Sequence, residues 1–163
     1  MKTLIEARET AQKGQTNRGR GRSRRSISGW LQHVMNARMS ARIRRNRGTF
    51  MGMDVLILHT VGRRTGRPRQ SPVAWFPRDD DSRLIVASGG GNRHPDWYLN
   101  LMAHPDEASI ELPGRAPVPV SPHRLDGVDR QQAWQRIASA QPRYAKYQRK
   151  TDRQFPVVQL TLG

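Results

Sequence analysis

Apolar residues in the middle of the chain occur in short runs of the kind that form buried β-strands. Asp54–Thr60 and Leu84–Ser88 are nearly continuous apolar runs, which predicts two strands with both faces covered. Further strands are predicted at Gln70–Phe76, Ala108–Leu112, Pro117–Leu125 and Phe155–Leu162. The three prolines in Pro117–Leu125 predict an irregular strand or an edge position, because proline has no N–H to give to a ladder.

Helical periodicity flanks and interrupts these strands. The apolar residues between positions 26 and 47 fall on one helical face and the arginines on others, so we expect an amphipathic helix there that ends at Gly48. Shorter helices are predicted over Pro95–Ala103, over residues 126–140 and from Pro142 onward. Strands with short helices near both ends predict a mainly β, α+β fold, a small closed β-structure with peripheral helices.

The 163 residues carry a net charge of +16 that is unevenly spread. Thirteen Lys or Arg and two Asp or Glu lie in residues 1–48, which therefore hold +11 of the total. Residues 1–25 are rich in glycine and in like charges and nearly free of apolar residues, so we expect a flexible basic arm. A single domain over residues 26–163 follows, since this length suits one hydrophobic core.

Composition also excludes several classes of site. The chain has no Cys, and hence no disulfide, thiolate metal site or Cys nucleophile. Its five histidines show no metal-ligand spacing, so we expect no metal. No apolar run approaches the roughly 20 residues that span a bilayer, and the first residues lack the apolar core of a signal peptide. The default expectation is a cytoplasmic protein.

The basic N-terminal region leaves more than one partner open. The amphipathic helix packs its apolar stripe on the core, lies peripherally on the anionic inner membrane face, or does both. A nucleic acid is disfavoured, because the arginines of the remaining chain cluster on one loop and aromatic residues make up only 6% of the sequence, with no stacking stripe.

The first segment that carries chemistry follows the strand Asp54–Thr60, and it reads Gly62-Arg63-Arg64-Thr65-Gly66-Arg67-Pro68-Arg69. Its two glycines allow a tight turn that exposes backbone N–H groups. Its four arginines present guanidinium forks that match phosphate or carboxylate oxygens. The pattern indicates an anion cradle. A solvated hairpin tip is the alternative that these residues leave open.

Two other segments carry polar groups beside unusual backbone. Val86-Ala87-Ser88 runs into three glycines, which marks either the close approach of a ligand or a flexible surface loop. The Ser88 hydroxyl can donate a hydrogen bond to a carbonyl on a ring lying across the strand end. Tyr144 and Tyr147 share one helical face, and they either line a pocket with phenolic donors or pack their rings in the core.

Taken together, four motifs between Thr60 and Leu162 resemble the deazaflavin-dependent nitroreductase family, split β-barrel proteins of actinobacteria that use coenzyme F420. The motifs are Gly62–Arg69, Val86–Ser88, His94–Leu101 and Tyr144–Arg153, the last followed by Pro156–Val158. The resemblance covers about two thirds of the chain. It implies a small split β-barrel of about six strands, similar to that of flavin-reductase and FMN-binding proteins.

The resemblance also implies a cofactor site. The Gly/Arg loop would hold the phosphate and polyglutamate tail of the deazaflavin through Arg63, Arg64, Thr65 and Arg69. The ring system and the rest of the groove would be lined by Gln70, Ser71, Pro72, Val73, Ala74, Val86, Ala87, Ser88, Gly89, Asp96, Trp97, Tyr98, Asn100 and Tyr144. Ser88, Tyr144 and Tyr147 match positions that line the substrate pocket and place or protonate the acceptor.

Two departures from the family pattern matter. Gly89 stands where the best-known members have a Lys, which removes one cofactor contact. Gln141 stands where some members have a third pocket Tyr.

The implied activity is transfer of a hydride from reduced F420 to a quinone, an activated enone or a nitro compound, by a monomer or homodimer. FMN is the less favoured cofactor, and reduction of nitroimidazole prodrugs does not follow. The alternative is a member of the family that binds deazaflavin or a lipid without turnover.

Overall fold

Six antiparallel strands close into a barrel at the centre of the chain, in a computed structural model that describes residues 36–45, 48–89 and 91–163. The strands are β1 (Thr49–Phe50), β2 (Met53–Val61), β3 (Pro68–Pro77), β4 (Arg83–Val86), β5 (Ser109–Glu111), β6 (Val118–Arg124) and β7 (Val157–Leu162). Hydrogen-bonded neighbours follow the order β2–β3–β4–β7–β6–β5, and β5 pairs back onto β2, with Leu58 opposite Ile110. The short β1 pairs only with β2.

In the described part of the chain, four α-helices surround this barrel. The helices are α1 (residues 36–45), α2 (Asp96–Ala103), α3 (Gly127–Ala140) and α4 (Pro142–Gln148). A single 3₁₀ turn over Pro105–Glu107 joins α2 to β5. Pro95 precedes α2 and Pro142 begins α4, as expected of a residue that lacks an N–H where a helix needs none.

The apolar run of β2 is buried on both faces, as its sequence predicts. Leu56 and Leu58 point into the barrel, where they meet Ile85, Ile110 and other interior residues. Val55 and Ile57 point outward, where they pack against Ile43 of α1. Alternation with period two sends successive side chains to opposite faces of a strand, so a run that is apolar at every position fits a strand with both faces covered.

A second cluster lies between the outer face of the barrel and the helices α3 and α4. Phe76, Leu84 and Val86 of β3 and β4 meet Ile137 of α3 and Tyr144 of α4. Burial of each such side chain contributes about 1.5–3 kcal/mol relative to exposure. This layer fixes α4 against the end of β4, which is the region that the candidate site occupies.

The described part of α1 is fastened to the barrel by charge as well as by packing. Arg44 donates from Nε and Nη2 to the two carboxylate oxygens of Glu111, at 2.6 and 2.7 Å. His59 Nε2 lies 3.1 Å from the same carboxylate. The predicted basic arm, residues 1–25, and the predicted first part of the amphipathic helix lie outside the described residues.

The sequence predictions were wrong at two strands. Pro117–Leu125 was expected to be irregular or at an edge, yet β6 lies between β5 and β7 in a closed barrel that has no edge. Only Val120 of β6 is buried, so the strand tolerates its prolines on an outer surface, and the Pro119 carbonyl accepts the Gly163 N–H. The strand Leu84–Ser88 was also drawn too long, because β4 ends at Val86.

Candidate functional site

The Gly/Arg loop is the tip of the β2–β3 hairpin. Val61 and Pro68 are the last paired residues, and the turn between them is closed by hydrogen bonds from the Gly62 N–H to the Arg67 carbonyl and from the Gly66 N–H to the Gly62 carbonyl. Gly62 is required here, since a Cβ at this position would lie 2.8 Å from Thr65 Oγ1. Gly66 has a φ of +62°, which suits glycine.

Most backbone N–H groups of this loop are bonded within the protein, whereas the sequence predicted N–H groups exposed to a ligand. The N–H groups of Gly62, Thr65 and Gly66 bond to carbonyls of the loop itself. Those of Arg63 and Arg67 bond to Asn100 Oδ1 and Thr65 Oγ1. Five N–H groups of the loop are thus bonded within the protein, so side chains are the main groups left to meet an anion.

Two guanidinium groups of the loop remain available for that purpose. Arg64 and Arg67 are exposed, and within the described part of the chain neither side chain has a hydrogen-bond or ion-pair partner. Arg69 is half-buried on β3 beside them and makes an interaction of its own. The loop therefore presents concentrated positive charge with no described carboxylate held against Arg64 or Arg67.

Arg63 has a different role from its neighbours because it joins the loop to α2. Its Nη1 donates to Asn100 Oδ1 at 3.1 Å, and its Nη2 donates to Asp96 Oδ1 at 3.0 Å. Asn100 is only 7% exposed, whereas the Asp96 side chain is 82% exposed. The hydrogen bond to the buried Asn100 amide therefore holds Arg63 more strongly than the solvent-exposed ion pair with Asp96 does.

The residues after β4 form the second part of the site. The Ala87 N–H still bonds to the Pro156 carbonyl, but the Ser88 N–H turns back to the Val86 carbonyl at 2.9 Å. Ser88 therefore lies outside the ladder, whereas the sequence predicted a strand that continues through Ser88. Its side chain is half-buried, and Gly89 beside it is exposed.

A guanidinium from the far end of the chain holds this turn. Arg153 Nη1 donates to the Ala87 carbonyl at 3.0 Å, and Nη2 donates to the Gly89 carbonyl at 3.1 Å. Nη1 also lies 3.0 Å from His94 Nδ1. Burial, together with the positive charge of Arg153 and Arg124, lowers the pKa of His94, so this imidazole is neutral and accepts the Arg153 hydrogen bond.

Helix α2 completes a continuous surface between these segments. The His94 and Tyr98 rings lie 5.0 Å apart between centroids, and Tyr98 packs edge-on against Trp97. Tyr98 is buried in the barrel interior cluster, while Trp97 is half-buried at its border. The loop, the end of β4 and α2 are thus joined through Arg63 on one side and His94 on the other.

The strand β3 runs beside these groups with alternating exposure. Ser71 and Val73 are buried, whereas Gln70, Pro72 and Ala74 are exposed or half-buried. Trp75 pairs with Ile85, so the residues that precede Trp75 and those that follow Ile85 continue side by side toward the same end of the barrel. This register places Ala74 and Val86, the neighbours of the last pair, at the same end of the β3–β4 ladder.

The two tyrosines of α4 differ sharply in environment. Tyr144 is buried in the same cluster as Val86, and its ring meets Phe76 edge-on at 5.6 Å. Burial raises the pKa of Tyr144, which therefore stays a neutral phenol at physiological pH. Tyr147 is 47% exposed, and its ring lies 6.4 Å from that of Tyr144. The packing alternative thus describes the Tyr144 ring, and Tyr147 faces solvent.

Sequence reasoning missed the part played by Arg153. Arg153 is the last residue of the motif Tyr144–Arg153, but the sequence assigns it no function. Local spacing carries no signal for it, since Arg153 stands more than sixty positions from the carbonyls that it binds. The contact between Arg153 and the glycine-rich end of β4 can be recognised only from the pairing of β7 with β4.

Comparisons with known proteins agree with this architecture. The F420H(2)-dependent quinone reductase family model matches residues 32–161. An F420H(2)-dependent quinone reductase from Mycobacterium tuberculosis is 42% identical over 108 residues, which cover 65% of this chain and 72% of that protein. A putative F420H(2)-dependent quinone reductase from Mycobacterium bovis matches with the same identity and the same coverage.

Solved structures match as well. The F420-H2 dependent reductase FDR-A superimposes with a TM-score of 0.56 at 32% identity, covering 65% of this chain and 92% of that one. A structure described as a domain-swapped dimer has the same TM-score at 29% identity, covering 83% and 99%. The family model spans most of the chain, and the fold and the motif order agree with it, so the chain belongs to the F420H(2)-dependent quinone reductase family.

Proposed function

We propose that this protein passes a hydride from F420H2 to a quinone at the surface formed by the Gly/Arg loop, the end of β4 and α2. The chain is an F420-dependent oxidoreductase of its family. One observation carries the assignment of the site. Segments that the family resemblance gives to the cofactor are hydrogen-bonded to one another through Arg63 and Arg153, although they are far apart in sequence.

The residues present suit an anionic cofactor. Arg64 and Arg67 offer two exposed guanidinium groups, which match the phosphate and the carboxylates of the F420 tail. Arg69 and the Thr65 hydroxyl lie beside them. Because most of the loop's N–H groups are bonded within the protein, binding rests mainly on these charged side chains and should depend strongly on salt. A neutral ring with a short phosphate, as in FMN, would use less of this charge.

Bound F420H2 supplies the hydride, and the protein supplies position and proton control. Ser88 stands at the strand end, where its hydroxyl can hold an oxygen of the acceptor or a carbonyl of the ring. Tyr144 is a neutral phenol at neutral pH, so its hydroxyl keeps the proton that it can donate in a hydrogen bond. Tyr147 is open to solvent, and it can exchange a proton with water.

A quinone is the acceptor that the family name favours, since the relatives of known name are quinone reductases. Reduction of a quinone adds one hydride and one proton. A phenol beside the ring would stabilise the oxyanion that forms on the acceptor. Activated enones and nitro compounds need the same two-electron step, and they are the next acceptors to test.

A peripheral membrane contact at the cytoplasmic face would suit a lipid-soluble quinone. Arg38, Arg42 and Arg45 are exposed and lie four and three positions apart, on one side of α1, while Ile43 packs inward. A basic helical face of this kind is attracted to anionic lipid. In the described part of the chain no helix is long and apolar enough to span a bilayer. Cosedimentation with vesicles of anionic and of neutral lipid tests this contact.

The central experiment has two arms. The purified protein is titrated with oxidised F420, and the absorbance of the reduced cofactor is then followed with menadione present. Binding in the micromolar range together with quinone-dependent oxidation supports the proposal. The absence of F420 binding in this range would overturn the proposal. Binding without turnover across quinones, enones and nitro compounds would favour a carrier that does not catalyse.

The assembly state is a separate question. Because a structural relative is described as a domain-swapped dimer, we expect a homodimer, with a monomer as the other outcome. Size-exclusion chromatography with light scattering decides between them.

A further inference from the structure

Arg153 makes an unusual set of contacts for one side chain. Its Nη1 and Nη2 donate to the carbonyls of Ala87 and Gly89, at 3.0 and 3.1 Å, and its Nε donates to the Gly91 carbonyl at 3.3 Å. Nη1 also donates to His94 Nδ1 at 3.0 Å. The first two carbonyls belong to the residues immediately before and after Ser88. The guanidinium therefore fixes the peptide unit that precedes Ser88 and the one that follows Gly89.

The segment needs such a partner because it has left the sheet. After β4 ends at Val86, the Ser88 N–H bonds only to the Val86 carbonyl two residues earlier. A sequence with glycines at positions 89–91 has many backbone conformations available, and Gly91 adopts a φ of +62°. A planar fork with five fixed donors can bind several carbonyls at once, which a lysine ammonium cannot reproduce.

Arg153 is itself held in place by the tyrosine helix. Its backbone carbonyl accepts the Gln148 Nε2–H at 2.8 Å, and Gln148 Oε1 accepts the Phe155 N–H at 2.9 Å. The guanidinium carbon lies 4.8 Å from the centroid of the Phe155 ring. Phe155 packs in the same cluster as Tyr144. One connected set of contacts thus runs from α4 through Arg153 to Ser88.

We propose that Arg153 is a positioning residue that holds the Ser88 hydroxyl in register with the α4 tyrosines. This inference rests on the proposed function, in which Ser88 and Tyr144 are both hydrogen-bond donors to the bound reactants. In this proposal Arg153 acts through the backbone, since four of its five N–H donors are used on three carbonyls and on His94. Its charge is met by carbonyl dipoles and by an aromatic face. Among the described residues no carboxylate is paired with its side chain.

The test compares Arg153→Lys and Arg153→Ala with Arg149→Ala. Arg149 lies four residues earlier and is exposed, and its side chain has no hydrogen-bond partner in the part of the chain that the structure describes. Amide hydrogen exchange over residues 87–92 is measured without cofactor. F420 affinity, kcat and KM for menadione are then measured, and Arg153→Ala is assayed again with millimolar guanidinium ion.

We expect exchange over residues 87–92 to quicken about tenfold in both Arg153 variants and to stay unchanged in Arg149→Ala. The kcat should fall about tenfold or more, while F420 affinity changes little because Arg64 and Arg67 remain. Added guanidinium ion should restore part of the kcat of Arg153→Ala, and ammonium ion should not. A purely structural residue would show no such rescue.

Two results would overturn the inference. One is a rate of amide hydrogen exchange over residues 87–92 that is the same in Arg153→Lys as in the wild-type protein. This measurement remains decisive if Arg153→Ala fails to fold. The other is a kcat that stays at the wild-type value although exchange quickens. Absence of turnover in the wild-type protein would overturn the proposed function alone, and the exchange comparison would still decide whether Arg153 anchors Ser88.

Discussion

Arg63 donates two hydrogen bonds to a single acceptor, since its backbone N–H and its Nη1 both reach Oδ1 of Asn100, at 3.2 and 3.1 Å. The backbone of the loop and the side chain that stands on it are thus fixed by one buried amide. Helix α2 is fixed to the same loop, because Asn100 is on that helix. The orientation of the Gly/Arg loop is therefore set by a residue that no anion needs to touch.

Replacing Asn100 by Ala should loosen this loop. The change leaves a backbone N–H and a guanidinium without their acceptor at a buried position, so we expect the free energy of unfolding to fall by about 1–3 kcal/mol. F420 affinity should fall as well, because the loop arginines lose their fixed place. Thermal denaturation and cofactor titration measure the two effects.

Asp96→Ala is the matched control for that change. It removes the other partner of Arg63, but this carboxylate is solvated, and an exposed ion pair contributes at most about 1 kcal/mol. Stability should change by less than that, and the cofactor should bind nearly as well. Equal losses in the two variants would mean that the ion pair, rather than the amide, holds the loop.

Truncating Arg64 and Arg67 together to Ala should weaken F420 binding about tenfold or more, given about 1.5–3 kcal/mol for a hydrogen bond to a charged group. Neither side chain has a partner among the described residues, so thermal stability should not fall. The dependence of the dissociation constant on salt should also become shallower. The measurement is a cofactor titration at several salt concentrations.

Arg115→Ala, which removes one positive charge away from the loop, is the comparison for Arg64→Ala and Arg67→Ala made singly. Arg115 follows β5, and the pairing of Ser109 with His59 and of Glu111 with Ile57 sends this end of β5 away from the Gly/Arg loop. Loss of an arginine here should leave F420 affinity unchanged. A loss as large as that of either single loop variant would mean that overall charge, and no cradle, attracts the cofactor.

Tyr144→Phe should separate chemistry from packing. Phe keeps the edge-on contact with Phe76 and loses only the hydroxyl, so the melting temperature should hold while kcat falls about tenfold to a hundredfold. Because burial raises the pKa of Tyr144, its loss of a proton should reduce kcat only above pH 10, its ordinary value. Tyr147→Phe, at an exposed ring, is the comparison. An unchanged kcat in Tyr144→Phe would assign Tyr144 to the core alone.

The barrel could be predicted from sequence because its evidence is local. A run that is apolar at every position, as in β2, signals two covered faces, and the structure provides them in the barrel interior and in α1. Pro95 and Pro142 mark helix starts for an equally local reason. The prediction that β6 lies at an edge failed because a proline shows only that one N–H donor is missing. It does not show whether a neighbouring strand has an acceptor that needs this donor.

The sequence nominated residues for the candidate site, but it did not predict the hydrogen bonds that join them. Each motif could be read alone, but the sequence offered no way to see that Arg63 binds α2 while Arg64 and Arg67 stay free for a ligand. Arg153 illustrates the limit best, because its partners are backbone carbonyls, which carry no residue identity. Such contacts leave no pattern in a single sequence.

Replacing Gly89 by Lys should raise F420 affinity. A Cβ at Gly89 would have no heavy atom nearer than 4.0 Å, and its φ does not lie in the left-handed region, so a side chain fits without strain. The resemblance places a lysine here in the best-known members, and a new cation near the Gly/Arg loop should strengthen anion binding by a few-fold. Gly91→Lys is the strained control, since its φ of +62° opposes any side chain. A weaker affinity in Gly89→Lys would show that this chain binds its cofactor differently at that strand end.

The Arg44–Glu111 pair should make stability depend on pH at the acid end. Hydrogen bonds from Arg44 and then His59 lower the pKa of Glu111 below its ordinary value, although burial acts against them. A carboxylate with a lowered folded-state pKa contributes stability that is complete above the unfolded-state pKa, about 4.3, and is lost as pH falls through the folded-state value. Glu111→Gln should therefore cost about 1 kcal/mol at pH 7, since Arg44 is partly solvated, and much less at pH 3. Urea unfolding at both pH values measures the difference. A cost that is the same at pH 3 and pH 7 would show that α1 is held by the packing of Ile43 against β2 and not by this charge.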